Sequence, residues 1–355
     1  MPSAPALRRV LLCGYYGEHN IGDDALLQVL LEQLPAGWEP LVTARDEHLV
    51  RQRFNVQTTD RRRLGGVLLA LGGCDALVLG GGSLLQDSTS CLSLIYYALL
   101  IVTARLRRRP VLLWGQGLGP LHHRFSRLLV RLLLPMATAI SWRDPASAVL
   151  AARWRIRAHQ GTDPVWALPA RPWQGAGGPI VLCWRPVQGL DGASWRTYLD
   201  ALERLLVRID RQVQWLPFHQ DQDRGLLADL DSRGLVGQEL RRRSRELELE
   251  TPGEAMAVFA SAGLVVAMRL HGLILAALAG SPCAALSYDP KVAAAAAGIG
   301  CPCHDLARSP SADLADTWNR AVDRPLDPAV IGAQRLGSAP HLELLRRGLP
   351  ARGQG

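Results

Sequence analysis

The stretch Leu264–Lys291 constrains the fold of this chain more than any other. It reads Leu-Val-Val-Ala-Met, then Arg269-Leu270-His271-Gly272, an Ala/Leu-rich segment, Gly280-Ser281-Pro282, Cys-Ala-Ala-Leu-Ser-Tyr and finally Asp289-Pro290-Lys291. Apolar runs of strand length, punctuated by glycine and proline, predict strand, sharp turn, helix, strand and turn. Arg269 and His271 then fall just past the carboxyl end of one strand, and Asp289 and Lys291 just past the next. In open α/β sheets that edge binds ligands. A guanidinium, an imidazole, a carboxylate and an ammonium gathered there suit an anionic small molecule, with at least one group able to move protons. The competing role for Arg269 and His271 is purely local, capping the turn and pairing with carboxylates.

The same alternation runs through the whole chain and implies parallel sheets. Arg9–Cys13, Ala76–Leu79, Val111–Trp114 and Ala137–Trp142 read as strands of a first half, and Ile180–Trp184, Val213–Pro217 and Leu264–Met268 as strands of a second. Trp195, Leu199, Leu202, Leu206 and Ile209 form a helical stripe. Thr251-Pro252-Gly253-Glu254 is a capping box opening a helix, and Asp144-Pro145 is an N-cap followed by Pro at N1. The Pro/Gly-rich segment 169–179 reads as a linker. With 355 residues, the expectation is two Rossmann-like α/β domains, 1–168 and 180–335, whose parallel sheets face a central cleft. A terminal helix and tail follow over 336–355, and the charged run Arg241–Glu250 reads as solvated surface.

Charge and cysteine usage narrow the class. The formal net charge is +8, and Lys291 is the only lysine, so the excess rests on arginine. Arginine suits bidentate contacts to phosphate and carboxylate, and the basic balance favours anionic substrates or an anionic membrane face. Arg61-Arg62-Arg63 reads as a solvated face. Five of the seven cysteines lie in apolar contexts, which suggests reduced, buried thiols and a cytosolic protein. Cys301-Pro302-Cys303-His304 lacks a second pair at zinc-site spacing, so no metal is expected. Met1–Ala6 is too short for a secretory signal. The most apolar helix, Leu92–Ala104, is too short to span a bilayer.

Three glycine-rich turns follow first-half strands. Gly14-Tyr-Tyr-Gly17-Glu-His-Asn20-Ile-Gly22-Asp23-Asp24 fits neither G-x-G-x-x-G nor a Walker A loop. One of its two aspartates is expected to cap the following helix, which frees the other for a site role. Gly80-Gly81-Gly82 implies a backbone that something approaches closely, and Gly115-Gln116-Gly117 lies at the same edge.

Together with Arg143-Asp144-Pro145, Asp163-Pro164, Met268–His271 and Ser287–Val292, these motifs resemble, in order over residues 9 to 300, the polysaccharide pyruvyl transferases of the CsaB type. The resemblance implies a fold like that of the GT-B glycosyltransferases. It also implies transfer of a pyruvyl group from phosphoenolpyruvate to a sugar of a cell-wall or envelope glycan, such as N-acetylmannosamine, forming a 4,6-linked ketal. It implies His271 as acid/base, Lys291 acting on the departing phosphate or sharing the proton transfer, and Asp23 orienting or deprotonating an acceptor hydroxyl. Arg269 and Arg185 become the anion ligands, and Gly81, Gly82, Asn20, Arg143, His219, Gln116 and Asp289 the further binding residues. No cofactor, metal or nucleic-acid partner is implied. The acceptor is a glycan or a lipid-linked sugar, and the setting is cytoplasmic with peripheral membrane contact as an option. His19 and Gly272 depart from the usual pattern without removing a chemical group. Two other classes compete. A nucleotide-sugar glycosyltransferase would need a ribose-binding carboxylate, and no clear Glu-x7-Glu is present. A non-catalytic glycan-assembly protein would tolerate loss of His271.

Overall fold

The computed structural model describes residues 7–88, 91–308 and 313–350. The Met1–Ala6 segment and the end of the expected tail, past Pro350, lie outside them. Thirteen strands are described: β1 (Arg8–Tyr16), β2 (Trp38–Ala44), β3 (Gln57–Asp60), β4 (Ala76–Leu85), β5 (Val111–Leu118), β6 (Ala139–Trp142), β7 (His159–Gln160), β8 (Ile180–Cys183), β9 (Val213–Trp215), β10 (Ser244–Glu246), β11 (Leu264–Ala267), β12 (Cys283–Ser287) and β13 (Cys303–Asp305). They form two wholly parallel sheets, ordered β3-β2-β1-β4-β5-β6-β7 and β10-β9-β8-β11-β12-β13. The central strands carry unbroken apolar runs (Val10–Cys13, Ala76–Leu79, Ile180–Cys183, Leu264–Ala267) because helices cover both faces of such sheets.

Contacts divide the chain into two units. The first holds Asp23–Ala167 with the segments before His19 and from Arg335 onward; the second holds His19–Gly22 and Leu168–Gln334. In the first, Leu79, Leu113, Tyr97, Ile101 and Val130 pack sheet against helices. In the second, Trp184 meets Trp215 edge to face at 5.5 Å beneath Leu199, Leu202 and Leu206, the helical stripe expected from the sequence.

Several expectations are corrected. The glycine-rich turns of β4 and β5 are strand, continuing to Leu85 and Leu118 with Gly82 opposite Gln116. Gly81, Gly82 and Gly115 carry positive φ, and the register shifts, as at a bulge, between Gly82 and Leu85 in the β4–β5 pair and between Leu113 and Gln116 in the β5–β6 pair. The 169–179 segment is no free linker: Arg171 and Gln174 donate backbone N–H groups to Leu278 and Ala260, and the Trp173 indole donates to the Ala262 carbonyl. The 241–250 run contains the edge strand β10, and Arg243 is enclosed by Glu239 and Asp210. Arg61 is likewise not solvated, since it pairs with Glu18 and stacks on Tyr15 at 4.3 Å.

The helix Ala339–Gly348 packs against β5 and β6 of the first unit. Its His341 is buried, with Nδ1 2.8 Å from Ser141 Oγ and Nε2 2.6 Å from the Thr162 carbonyl. Burial lowers its pKa from the usual histidine value near 6.5. A group depressed in the folded state contributes stability above its unfolded pKa and loses it as pH falls through the folded one. Wild type is therefore expected to lose stability below about pH 6.5, by up to roughly 1.4 kcal/mol per pH unit. His341→Asn should flatten that slope in thermal unfolding across pH 7.5 to 5, and equal slopes would count against it.

Candidate functional site

The second unit brings candidate side chains to the carboxyl ends of four neighbouring strands, β9, β8, β11 and β12. His219 follows β9, Arg185 follows β8, Arg269 and His271 follow β11, and Asp289 and Lys291 follow β12. Arg269 precedes the helix Leu270–Leu278, whose first N–H groups favour a bound anion.

Arg269 is held by a residue that sequence reading missed. Its Nε donates to Asp223 Oδ2 at 3.0 Å and its Nη2 to Asp223 Oδ1 and Gln222. The Asp223 side chain is fully buried, and it also accepts the backbone N–H groups of Phe218 and His219. One carboxylate thus fixes both the β9 turn and the Nε/Nη2 edge of the guanidinium, and it does not consume the Nη1 donors. The signal for it was a carboxylate four residues after His219 in a strand-end turn.

Residues 19–22 complete this cluster. Asn20 bridges His219 in antiparallel fashion, Ile21 donates to the Phe218 carbonyl and Gln220 to that of His19. The departure at His19 has a backbone counterpart, a left-handed φ of 54°. The His271 ring lies against Gly22: a Cβ added there would sit 2.2 Å from His271 Nδ1. The glycine is therefore required by close approach. The structure joins Asn20, His219, Arg269 and His271 in one locality.

Arg185 stacks on Tyr288 with 5.0 Å to the ring centroid and donates to its hydroxyl at 3.2 Å. Asp289 accepts the Lys291 backbone N–H, caps the helix Pro290–Ile299, and pairs with Lys291 Nζ at 3.1 Å.

Apart from Asn20, the remaining candidates belong to the first unit. Asn20, not an aspartate, caps the helix Ile21–Glu32, accepting the Gly22 N–H at 3.0 Å, because that helix starts four residues earlier than the expected Ala25. Asp23 and Asp24 fall in its first turn. Asp24 is buried against Arg53, and burial pushes its carboxyl up to about 7 against the pull of that arginine. Arg143 is buried, donating to Asp163 at 3.0 Å and to Ser83 at 3.1 Å on the glycine ribbon. Gln116 is fully buried and ties β5 to the Leu79 carbonyl of β4. At Gly82, with φ 87°, an added Cβ would meet no atom within 4 Å, so its backbone borders open space.

Among the described residues no group of three or more His, Cys, Asp or Glu is arranged to hold a metal. Cys303 and His304 lie in the edge strand β13, with His304 tilted against Tyr198. No described helix is long and apolar enough to cross a membrane.

The family model of polysaccharide pyruvyl transferases matches residues 20–290. A comparison with curated proteins finds no match. Among solved structures the chain is similar to UDP-GlcNAc 2-epimerase from Methanocaldococcus jannaschii, at 11% identity over 94% of this chain and 98% of that one, TM-score 0.61. It is also similar to the Neisseria meningitidis enzyme of that name bound to UDP-GlcNAc, at 10% over 97% and 99%, TM-score 0.61. Acinetobacter baumannii MurG aligns at 13% over 96% and 99%, TM-score 0.53. At these identities the likeness is one of fold, the GT-B kind.

Proposed function

The chain belongs to the polysaccharide pyruvyl transferase family, and on that premise we propose that it transfers the pyruvyl group of phosphoenolpyruvate to two hydroxyls of an envelope-glycan sugar, releasing phosphate. The observation that carries this reading is the pairing at the end of β11 of a guanidinium, clamped by Asp223, with an imidazole against Gly22. Phosphoenolpyruvate presents a phosphate and a carboxylate, which Arg269 Nη1, Arg185 and the helix N-terminus suit.

In the proposed reaction His271 protonates C3 of the enol, which makes C2 electrophilic. One sugar hydroxyl adds to C2, the C2–O bond to phosphate breaks, and the second hydroxyl closes the ketal. Of the two hydroxyl protons, one balances that given to C3 and the other leaves with phosphate. Lys291 stabilises the departing phosphate, and Asp23 orients or deprotonates an acceptor hydroxyl. Gly82 lends its open backbone to a ligand. The deeply buried Arg143 and Gln116 support the glycine ribbon, a positioning role. The CsaB type and a 4,6-ketal on N-acetylmannosamine, free or lipid-linked, are the finer form of the proposal.

The test incubates purified protein with phosphoenolpyruvate and a panel of free and lipid-linked N-acetylmannosamine, glucose and galactose acceptors, reading phosphate and product mass. Acceptor-dependent phosphate and a product heavier by a pyruvyl ketal are expected. Silence with phosphoenolpyruvate, together with turnover of a nucleotide sugar, would overturn the proposal in favour of a glycosyltransferase.

A further inference from the structure

The first unit carries an apolar face with no role in the chemistry above. In the helix Arg124–Leu133, Ser126, Val130 and Leu133 are buried. Phe125, Leu128 and Leu132, at i, i+3 and i+7, point outward with 60%, 57% and 62% of their surface exposed. Three large apolar side chains on one stripe are unlike the scattered apolar exposure of ordinary surfaces. The neighbouring helix Cys91–Leu106 packs against this one and presents its own outward stripe through Ile95, Leu99 and Leu106.

Charge accompanies the apolar stripe. Arg124, Arg127 and Arg131 are exposed along the adjoining side of the same helix. From Ser88 to Arg143 the sequence contains eight arginines and no aspartate or glutamate. An amphipathic helix with an apolar stripe beside a basic one, about 15 Å long, has the composition of an element that lies in a bilayer interface: apolar side chains enter the headgroup boundary and arginines meet anionic lipid. A second copy of this chain is disfavoured as occupant, because a self-complementary pairing would bring the two arginine stripes together unneutralised.

We propose that the outward faces of the helices Arg124–Leu133 and Cys91–Leu106 dock the protein on an anionic lipid bilayer. Docking does not depend on which group the protein transfers, so the failure of either proposal leaves the other standing.

The test is co-sedimentation of the full-length protein with phosphatidylcholine vesicles, with and without phosphatidylglycerol, over a salt series, beside two variants. Wild type is expected to bind the anionic vesicles, to release with salt, and to ignore pure phosphatidylcholine. Arg124→Gln/Arg127→Gln/Arg131→Gln should weaken partitioning about a hundredfold, from roughly fivefold per arginine. Phe125→Ser/Leu128→Ser/Leu132→Ser should weaken it more than about tenfold. All six positions are exposed, so circular dichroism should match wild type. Absence of vesicle binding, or equal binding by wild type and both variants, would overturn the proposal. So would a wild-type dimer in sedimentation velocity that the serine variant abolishes, which would make the face a self-interface.

Discussion

His271→Ala is expected to lower acceptor-dependent phosphate release from phosphoenolpyruvate by about 10²–10⁴-fold, the usual contribution of a positioned acid/base, with thermal unfolding within about 1 kcal/mol of wild type. The loss should fall on kcat, because in the proposed reaction the imidazole acts on the enol carbon whereas arginines bear the anionic groups. Gly22→Ala supplies the complementary experiment. It keeps the imidazole but places a methyl carbon 2.2 Å from Nδ1, so the ring or the 19–22 segment must move. A displacement of about 1 Å at a reacting group can cost 10²-fold. A Gly22→Ala enzyme with wild-type kcat would remove the close approach from the mechanism. A His271→Ala enzyme with wild-type kcat would remove the imidazole.

The second large effect concerns the clamp on Arg269. Removing one partner of a buried ion pair strands the other, at a cost of roughly 3–5 kcal/mol. Asp223→Ala should approach that figure, because the carboxylate also holds the Phe218 and His219 N–H groups. Arg269→Lys keeps the charge but loses the two-point contact, and should raise the KM for phosphoenolpyruvate by about ten- to a hundredfold with a smaller change in kcat. The informative comparison is the double mutant Asp223→Ala/Arg269→Ala. Its unfolding should be less impaired than the sum of the two single losses, since no buried charge is then left alone. Strict additivity would mean that Asp223 acts through the β9 turn alone and does not position the guanidinium.

What the sequence disclosed is local physics. Apolar runs marked the central strands. Thr251 and Glu254 form the expected reciprocal capping box, Asp144 caps its helix ahead of Pro145, and Arg269 and His271 stand beyond β11 as their strand–turn–helix spacing requires. What it concealed depends on pairing across sequence distance. Asp223 reads as one more acid in a polar turn until Arg269 arrives from 46 residues away. The glycines after Leu79 and Trp114 look like loops until β4 and β5 pair through them. Arg61, in a run of three arginines, looks solvated until Glu18 and Tyr15 enclose it.

The two units are interleaved along the chain, and this bears on the order in which they are made. The helix Ala339–Gly348, whose His341 engages Ser141 and the Thr162 carbonyl, leaves the ribosome only after all of 168–334. Until then β5 and β6 lack that helical cover, and Ser141 waits for its imidazole. The second unit is in the opposite position: residues 19–22 are made first, and the turn that receives them comes some two hundred residues later. Each unit therefore holds a contact that must wait for a distant stretch of chain, and a fragment ending near residue 334 would leave the first unit permanently uncovered on that side.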